Sequence, residues 1–366
     1  MMVPMLVCVT ALVAAPLQEG PVEETGRLLA PKKVEVDGAT AWSFLLDEKP
    51  PEYTILGSYV ASPDVSLLTV LKGRVIQQIA IPEFKELRVL DLKRPTGGLW
   101  ASKEGLALHT SSPADPAKNH EIWLIDPATL AIKSRSPIPP CRPKTSAGLS
   151  TALYPKDSTR IVIADLKTGK TLKEYSLEEL LKNAGSKIKS AKRVYQLGMV
   201  TPENFPVPTP DGKYLLCADG PVLHRIRING AGLQYEEISL PLRQPQVVRV
   251  STDSKLIMIW NPAESPMPPN APPAGTMIFK VEDLQKPVAV LPDVRPLGID
   301  PAAGKYYGIV PDKAIVVFNT AGKKEKEYAI PVPANHSGCF VHVEGSKMLV
   351  LPLEVAKPLL WIELPR

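Results

Sequence analysis

Cysteine is scarce in this chain, and the spacings in which cysteine carries chemistry are missing. The 366 residues include 4 cysteines, and no pair has the Cys-x-x-Cys spacing of a zinc or redox site. Cys8 lies in an apolar N-terminal run, so Cys141, Cys217 and Cys339 would remain in an exported protein. Three thiols allow at most one internal disulfide, which excludes a disulfide framework and leaves open whether any bond forms.

Aromatic residues and dense basic runs are also rare, which argues against a nucleic-acid partner. Aromatics make up 6% of the chain, and 43 basic residues stand against 38 acidic ones for a formal charge of +5. The densest basic run, KSAKR at 189–193, has no interleaved aromatic residue and follows a predicted helix. Such a run is typical of a solvated surface, so no nucleic-acid partner is expected.

The apolar run at the N-terminus is too short and too interrupted to span a membrane, so no transmembrane span is predicted. It covers residues 1–17 and is interrupted by Pro4 and Thr10. With the small residues at 14–15 near its end, it fits a signal peptide, although no Lys or Arg lies in it. We therefore expect residues 1–18 to be removed and the protein to be extracytoplasmic, either periplasmic or secreted. A buried or disordered N-terminus is the alternative.

What is abundant is proline and a repeat of about 40–50 residues, the length of a four-stranded propeller blade. The 40 prolines are about twice the usual share and favour short elements with many turns. Glycines ahead of polar turns are separated by 41, 50, 50, 100 and 40 residues, and the interval of 100 contains the strand-like run QVVRV at 246–250. These glycines are Gly57, Gly98, Gly148, Gly198, Gly298 and Gly338.

Within each repeat, a polar turn precedes a run of strand-forming residues. Examples are TPDGKYLLCA at 209–218, TDSKLIMI at 252–259 and AGKYYGIV at 303–310. A second pair of strands surrounds a hairpin turn, as at Asp126–Thr129 and Asn319–Gly322. The unit therefore reads strand, polar turn, strand, loop, strand, hairpin turn, strand.

The runs PDGKYLLCA and TDSKLIMIW, together with the N-x-x-G hairpins, resemble the loose WD40-like and YVTN-like repeats of bacterial extracytoplasmic β-propellers. The resemblance covers about residues 55–366 and concerns architecture. The chain has no Trp-Asp dipeptide, no YVTN tetrapeptide and no Gly-His pair, so it indicates no subfamily.

We predict an all-β fold, a single β-propeller of about seven four-stranded blades with one short helical insertion. The last repeat begins at 338 and leaves 29 residues, enough for three strands. The segment 19–54 would supply the missing strand, from within 27–46, and pair it with LLWIEL at 359–364. Because the strands after Gly148 can be assigned in two ways, six or eight blades remain alternatives.

Ser176 and Glu179 form a capping-box pattern at the start of the predicted helix, and Gly185 would end it. Two long loops, 109–120 and 261–275, each join a second strand to a third. We expect both loops to project from one face of the ring, and the helical insertion near 176–193 to border that face.

The candidate ligand or partner residues lie on these loops and on the strands expected to line the central channel. The spacing of the two histidines and the aspartate in the first loop matches no named metal site, so neither a metal nor a cofactor is predicted. The proline-rich second loop favours stiff, extended chain. The candidates are His109, Asp115 and His120 in the first loop, Asn261 and Glu264 in the second, and Arg249 and His342 on innermost strands.

Two functions fit these observations. The first is a monomeric binding or scaffold module that presents one loop-bearing face to a protein or polymeric ligand. The alternative is a lactonase-like propeller hydrolase with its site at the mouth of the channel, which would need acid and base groups to converge there. The chain has no G-x-S-x-G, P-loop or G-x-G-x-x-G motif, which favours the binding module.

Overall fold

A computed structural model describes the chain from residue 31 to residue 365 with several gaps. The signal-peptide prediction for 1–18 lies outside the described residues, and so do Cys141, Cys339, Asp115 and Glu264. Whether a disulfide forms therefore stays a prediction. The described residues are 31–44, 58–62, 64–93, 96–111, 120–138, 145–157, 160–183, 207–219, 222–230, 232–240, 242, 246–261, 274–330, 340–351 and 359–365.

The described strands form seven antiparallel sheets, here called blades 1 to 7. An N-terminal pair, β1 (Lys32–Val36) and β2 (Ala39–Phe44), precedes blade 1. Blade 1 comprises β3 (Ser58–Ala61), β4 (Leu67–Lys72), β5 (Val75–Ala80) and β6 (Lys85–Asp91); blade 2 comprises β7 (Thr96–Ser102), β8 (Gly105–Thr110), β9 (His120–Ile125) and β10 (Ile132–Ile138). Blade 3 comprises β11 (Thr151–Asp157), β12 (Arg160–Asp165) and β13 (Thr171–Ser176), and α1 (Leu177–Asn183) follows it.

The second half of the chain repeats the same meander. Blade 4 comprises β14 (Val207–Pro208), β15 (Tyr214–Asp219), β16 (Val222–Asn229) and β17 (Gly232–Ser239); blade 5 comprises β18 (Gln246–Val250), β19 (Leu256–Asn261), β20 (Gly275–Lys280) and β21 (Ala289–Pro292). Blade 6 comprises β22 (Arg295–Asp300), β23 (Lys305–Val310), β24 (Ala314–Asn319) and β25 (Lys324–Tyr328). Blade 7 contains β26 (Phe340–Glu344), β27 (Lys347–Leu351) and β28 (Leu359–Glu363).

The predicted count of seven blades is confirmed, and the alternatives of six and eight are wrong. The first strands of blades 1, 2 and 6 begin at 58, 96 and 295, within three residues of the positions that the glycines predicted. Gly148 lies in the polar turn ahead of β11, the second strand of blade 3. Gly198 lies outside the described residues, and the first strand of blade 4 begins at 207.

The polar turns that recur in the sequence join the first and second strands of the blades. In blade 4, the Thr209 hydroxyl donates to Asp211 Oδ1 over 2.6 Å, and Lys213 N donates to the same oxygen over 3.0 Å. Tyr214 N donates to Thr209 Oγ1 over 3.0 Å and begins the second strand. Blades 1 and 5 repeat these bonds within SPDVS and STDSK. Short polar side chains thus satisfy the backbone of each turn.

The carboxylates in these turns are stabilised as anions. Hydrogen bonds from Ser62 and Ser66 lower the pKa of Asp64 to about 2. Burial raises the pKa of Asp211, but hydrogen bonds from Thr209 and Lys213 outweigh it and leave that pKa below its usual value. A pKa below that of the unfolded chain means that the turns stabilise the fold above about pH 4 and lose this contribution in acid, and the Asp64 turn loses it as pH falls towards 2.

Each pair of neighbouring blades shares one hydrophobic cluster, and the described residues contain seven such clusters for seven blades. The cluster between blades 1 and 2, for example, packs Leu71 against Leu99. Trp361 and Leu349 of blade 7 pack with Leu68 of blade 1. An open row of blades would have one interface fewer than it has blades, so the ring is closed.

Closure depends on a sheet made from both ends of the chain. Blade 7 has the strand order β1-β2-β28-β27-β26, in which β2 pairs antiparallel with β28. Trp42 lies opposite Trp361, with ring centroids 4.4 Å apart, and Phe44 is 2% exposed. The predicted closing strand is therefore confirmed. The outer strand β1, with the exposed sequence KKVEV, adds a fifth strand that was not predicted.

The helix begins at the end of the ring opposite the polar turns, as predicted. Residues 146–150 carry the backbone bonds of a polar turn, Leu149 N to Ser146 O and Leu166 N to Ser150 O, so β11, β12 and β13 are the second to fourth strands of blade 3. Ser176, the last residue of β13, pairs with Arg160, the first residue of β12, and a fourth strand ends opposite the polar turns. The N-cap prediction is confirmed, since Glu179 N donates to Ser176 Oγ over 3.3 Å. Leu180 and Leu181 pack between blades 3 and 4.

The closing sheet generates a stability prediction. Phe44→Ala removes a buried ring shared by blades 7 and 1, and we expect it to lower the free energy of unfolding by about 3–5 kcal/mol. Urea denaturation would measure the change. Val34→Ala, on the exposed outer strand β1, is the matched control and should stay within about 0.5 kcal/mol of the wild type. Equal effects of the two substitutions would contradict a role for β2 in ring stability.

Candidate functional site

Two long connections leave the ring at equivalent positions, three blades apart. In blade 2, β8 ends at Thr110 and β9 begins at His120; in blade 5, β19 ends at Asn261 and β20 begins at Gly275. Both connect a second strand to a third, so their roots share the end of the ring opposite the polar turns. We call this the loop end. The loop residues 112–119 and 262–273 themselves lie outside the described residues.

Two histidines meet at the root of the loop in blade 2. His109 Nε2 lies 2.8 Å from His120 Nδ1, which is hydrogen-bonding distance. The ring centroids lie 5.0 Å apart and the ring planes are inclined by 22°. His109 is 4% exposed, whereas His120 is partly exposed. The structure thus brings together two of the three residues predicted for this loop.

A glycine on the innermost strand makes room for this pair. The register between β7 and β8 shifts between Thr96 and Gly98, which makes Gly97 the extra residue of a β-bulge. A Cβ atom on Gly97 would lie 2.1 Å from His109 Nδ1, so only glycine allows the ring to pack against this backbone. The dipeptide Gly97-Gly98 was the sequence signal for this contact, but only Gly98 was interpreted, as a repeat marker.

The root of the loop in blade 5 has a different chemistry. Asn261 is 4% exposed, and the fully buried Thr276 donates its hydroxyl to the carbonyl oxygen of Val294 over 2.7 Å. That bond connects blade 5 to the segment that leads into blade 6. The guanidinium of Arg295 lies 4.5 Å from the ring centre of Trp260, a cation–π contact between the same two blades. No sequence pattern had indicated a contact between Arg295 and Trp260.

Two other predicted site residues lie on the first strands of blades 5 and 7. Arg249 lies on β18, the innermost strand of blade 5, and is half-buried opposite Met258. His342 lies on β26, the innermost strand of blade 7, opposite Leu349. Their predicted placement on innermost strands is confirmed. Their role at a ligand site stays a prediction, as does that of Asp115 and Glu264, which lie outside the described residues.

Sequence reasoning also missed a polar network on blade 4. Arg225 donates to Glu236 over 2.6 Å and to the carbonyl oxygen of Val281, and its guanidinium lies 5.3 Å from the Tyr214 ring centre. The Tyr214 hydroxyl donates to Glu282 over 2.8 Å, and burial, with that carboxylate, raises the pKa of Tyr214. This network connects blade 4 to blade 5 by charge-assisted bonds, so it stabilises an interface.

A second group of hydrogen-bonded side chains on blade 4 connects two neighbouring strands of the sheet. His224 Nδ1 lies 2.6 Å from the Tyr235 hydroxyl, which donates to Glu237 over 3.0 Å. Histidine and tyrosine lie on neighbouring strands, and both are nearly inaccessible to water. These bonds satisfy His224 Nδ1 and the Tyr235 hydroxyl within the sheet.

Two further findings for the described ranges concern metal binding and membrane insertion. Within them, no three His, Cys, Asp or Glu side chains come together as a group that could hold a metal ion. Their helical content includes no segment with the length and apolar character needed to cross a bilayer.

Comparison with known proteins shows the fold. The chain matches no protein-family model and no curated protein. It is similar to a structure of Kluyveromyces lactis Hsv2 with a complete loop 6CD, with a TM-score of 0.53 and 10% identity over 81% of this chain and 90% of that one. It is also similar to Hsv2 of Kluyveromyces marxianus, with a TM-score of 0.51 and 10% identity over 81% and 89% of the two chains. These neighbours are WD40-like propellers, and this chain is a seven-bladed β-propeller.

The contact at Gly97 generates the prediction for this site. Gly97→Ala would push the His109 ring from its place, and we expect this overpacking to lower the free energy of unfolding by about 1–3 kcal/mol. In a His109→Ala background the same substitution should cost much less, because the ring that it displaces is gone. Urea denaturation of the two single variants and the double variant measures this coupling. Additive effects would contradict the packing of His109 against Gly97.

Proposed function

We propose that the protein is a binding or scaffold module that engages a protein or polymeric ligand through the loop end of the ring. One observation carries the proposal: two long connections are rooted at equivalent strand ends in blades 2 and 5, so they would flank the channel mouth from opposite sides. Long loops within a compact fold are uncommon unless they have a function or are disordered.

The ring supplies the stability and the loops are separate from it, which supports this proposal. All seven interfaces between blades are hydrophobic clusters made mostly of strand residues. A rigid ring with variable loops is the usual arrangement by which a scaffold positions binding residues. The loop roots are anchored by buried polar residues such as Thr276 and Asn261, so the positions from which the loops leave are held firmly.

The composition of the second loop suggests how a ligand is held. Residues 261–275 include six prolines, and proline-rich chain favours an extended, preformed conformation. Such a segment loses less conformational entropy when it binds than a flexible one does. We therefore propose that this loop docks against an extended or flat surface of the ligand, while the loop with Asp115 contributes polar contacts.

Loop replacement tests the proposal. Exchanging residues 112–119 or residues 262–273 for a short glycine-containing turn should change the free energy of unfolding by less than about 1 kcal/mol, because each segment is polar or proline-rich and lacks the apolar alternation of a strand. Each exchange should weaken retention of the ligand captured by the wild-type protein from its native host, measured by quantitative affinity capture.

The matched control is the double variant Lys213→Ser, Lys255→Ser. Both lysines are exposed and lie on the opposite end of the ring, beside the polar turns. This variant should capture the ligand as the wild type does. Loop variants that retain full capture, or a control variant that loses it, would place binding elsewhere.

We also propose an extracytoplasmic location and a relation to bacterial extracytoplasmic propellers, supported by the apolar run at 1–17. Expressed from its native start in a Gram-negative host, the protein should be recovered outside the cytoplasm and shortened by about 15–20 residues. Fractionation and mass spectrometry of the intact chain would measure both. Full-length protein in the cytoplasm would contradict the proposal.

A further inference from the structure

The histidine pair closes the root of the loop in blade 2. His109 is the last residue but one of β8, and His120 is the first residue of β9. Their contact of 2.8 Å is a side-chain bond between the strands on either side of the loop. His109 packs against the Gly97 backbone on its other side, so its ring is confined. The contact therefore depends on the chemistry of the two facing nitrogens.

That chemistry depends on the number of protons on the pair. A hydrogen bond between two imidazoles needs an N–H on one facing nitrogen and a lone pair on the other. A neutral pair and a pair with one additional proton both meet this requirement. When both rings are cationic, N–H faces N–H and two like charges lie within a few ångströms, so the bond is lost and the rings repel.

We propose that the His109–His120 contact is a pH-sensitive latch, closed at neutral pH, that releases the root of the loop between β8 and β9 on acidification. Imidazole is the side chain whose ordinary titration falls between pH 5 and 8. The second proton removes the lone pair that accepts the bond, so it opens the latch.

The charged groups around the pair on its own blade have partners of their own. The facing part of β7, Thr96–Leu99, contains no ionisable side chain. Glu121 follows His120 on β9, and its carboxylate accepts a hydrogen bond from Trp123 Nε1 over 2.7 Å. On β10, the guanidinium of Arg135 lies 4.4 Å from the Trp123 ring centre.

Blade 3 packs against the same face through apolar residues. Ala152 and Ala164 join Ala107 and Ile122 of blade 2 in one cluster. At the end of blade 3 that carries the roots of its connections, the Arg160 guanidinium lies 3.4 Å from the Glu174 carboxylate. Further charged residues of these segments have side chains outside the described ranges: Asp115, Lys118, Arg142, Lys144, Lys156 and Asp157.

The sign of the effect follows from proton linkage. The open root binds more protons than the closed root, so acidification favours opening, by up to about tenfold per pH unit for each proton taken up. This range is separate from that of the turn carboxylates. Asp64, whose pKa is lowered to about 2, loses its charge only in far stronger acid.

Hydrogen exchange measured by mass spectrometry on the full chain tests the latch without any ligand. Peptides from the two roots would be compared at about pH 7.5 and about pH 5.5, on either side of ordinary histidine titration, after correction for the intrinsic exchange rate. We expect peptides covering 105–111 and 120–125 to lose protection at the lower pH. Peptides covering 256–261 and 274–280, the root in blade 5, contain no histidine and should not change.

The variant His120→Gln removes the second ionisable ring and should abolish the pH response of the blade 2 root. If that variant does not fold, long-range ¹H–¹⁵N spectra of the wild type supply the second measurement. Two cationic rings at the pH where protection falls support the latch. An equal change at both roots, an unaltered response in His120→Gln, or protection retained with both rings cationic would overturn it. Failure of the ligand-capture proposal would leave these outcomes unaffected.

Discussion

The pairing of β2 with β28 is the contact on which the whole ring depends. Every blade buries both faces of its sheet against a neighbour, so no blade is stable at the end of a row. The pairing of Trp42 with Trp361 and the burial of Phe44 provide the missing neighbour for blade 1. Antiparallel hydrogen bonds between the two chain ends thereby convert seven separate interfaces into one cooperative structure.

A closed ring separates the two ends of the molecule by function. At the end with the polar turns, the polar side chains bond within their own turn, as in Thr209–Lys213. Replacing these side chains would therefore disturb the turn itself. The loop end combines long connections with buried polar roots, where His109 and Asn261 sit. Because the interfaces supply the stability, residues at the loop end are free to serve a ligand or to respond to pH.

The regular parts of the fold could be predicted because they are local. The turn TPDGK, the hairpin at Asn319–Gly322 and the N-cap at Ser176 each bond within a few residues of themselves. The helix could be predicted as well, because its capping residues Ser176 and Glu179 lie where the fourth strand of blade 3 ends. The candidate site could be predicted in part: residues His109 and His120 were identified, whereas their contact with each other and with Gly97 was not.

By itself, the sequence determined the repeat length, the strand order within a blade and the chemistry of the turns, since these depend on side chains that bond to nearby backbone. Only the tertiary structure decided which residues meet across strands and blades. The register of β7 against β8 brings Gly97 under the His109 ring, and the approach of blade 6 to blade 5 places Arg295 on Trp260. Such contacts depend on strand register and on the geometry of the closed ring, and no local pattern of residues encodes either.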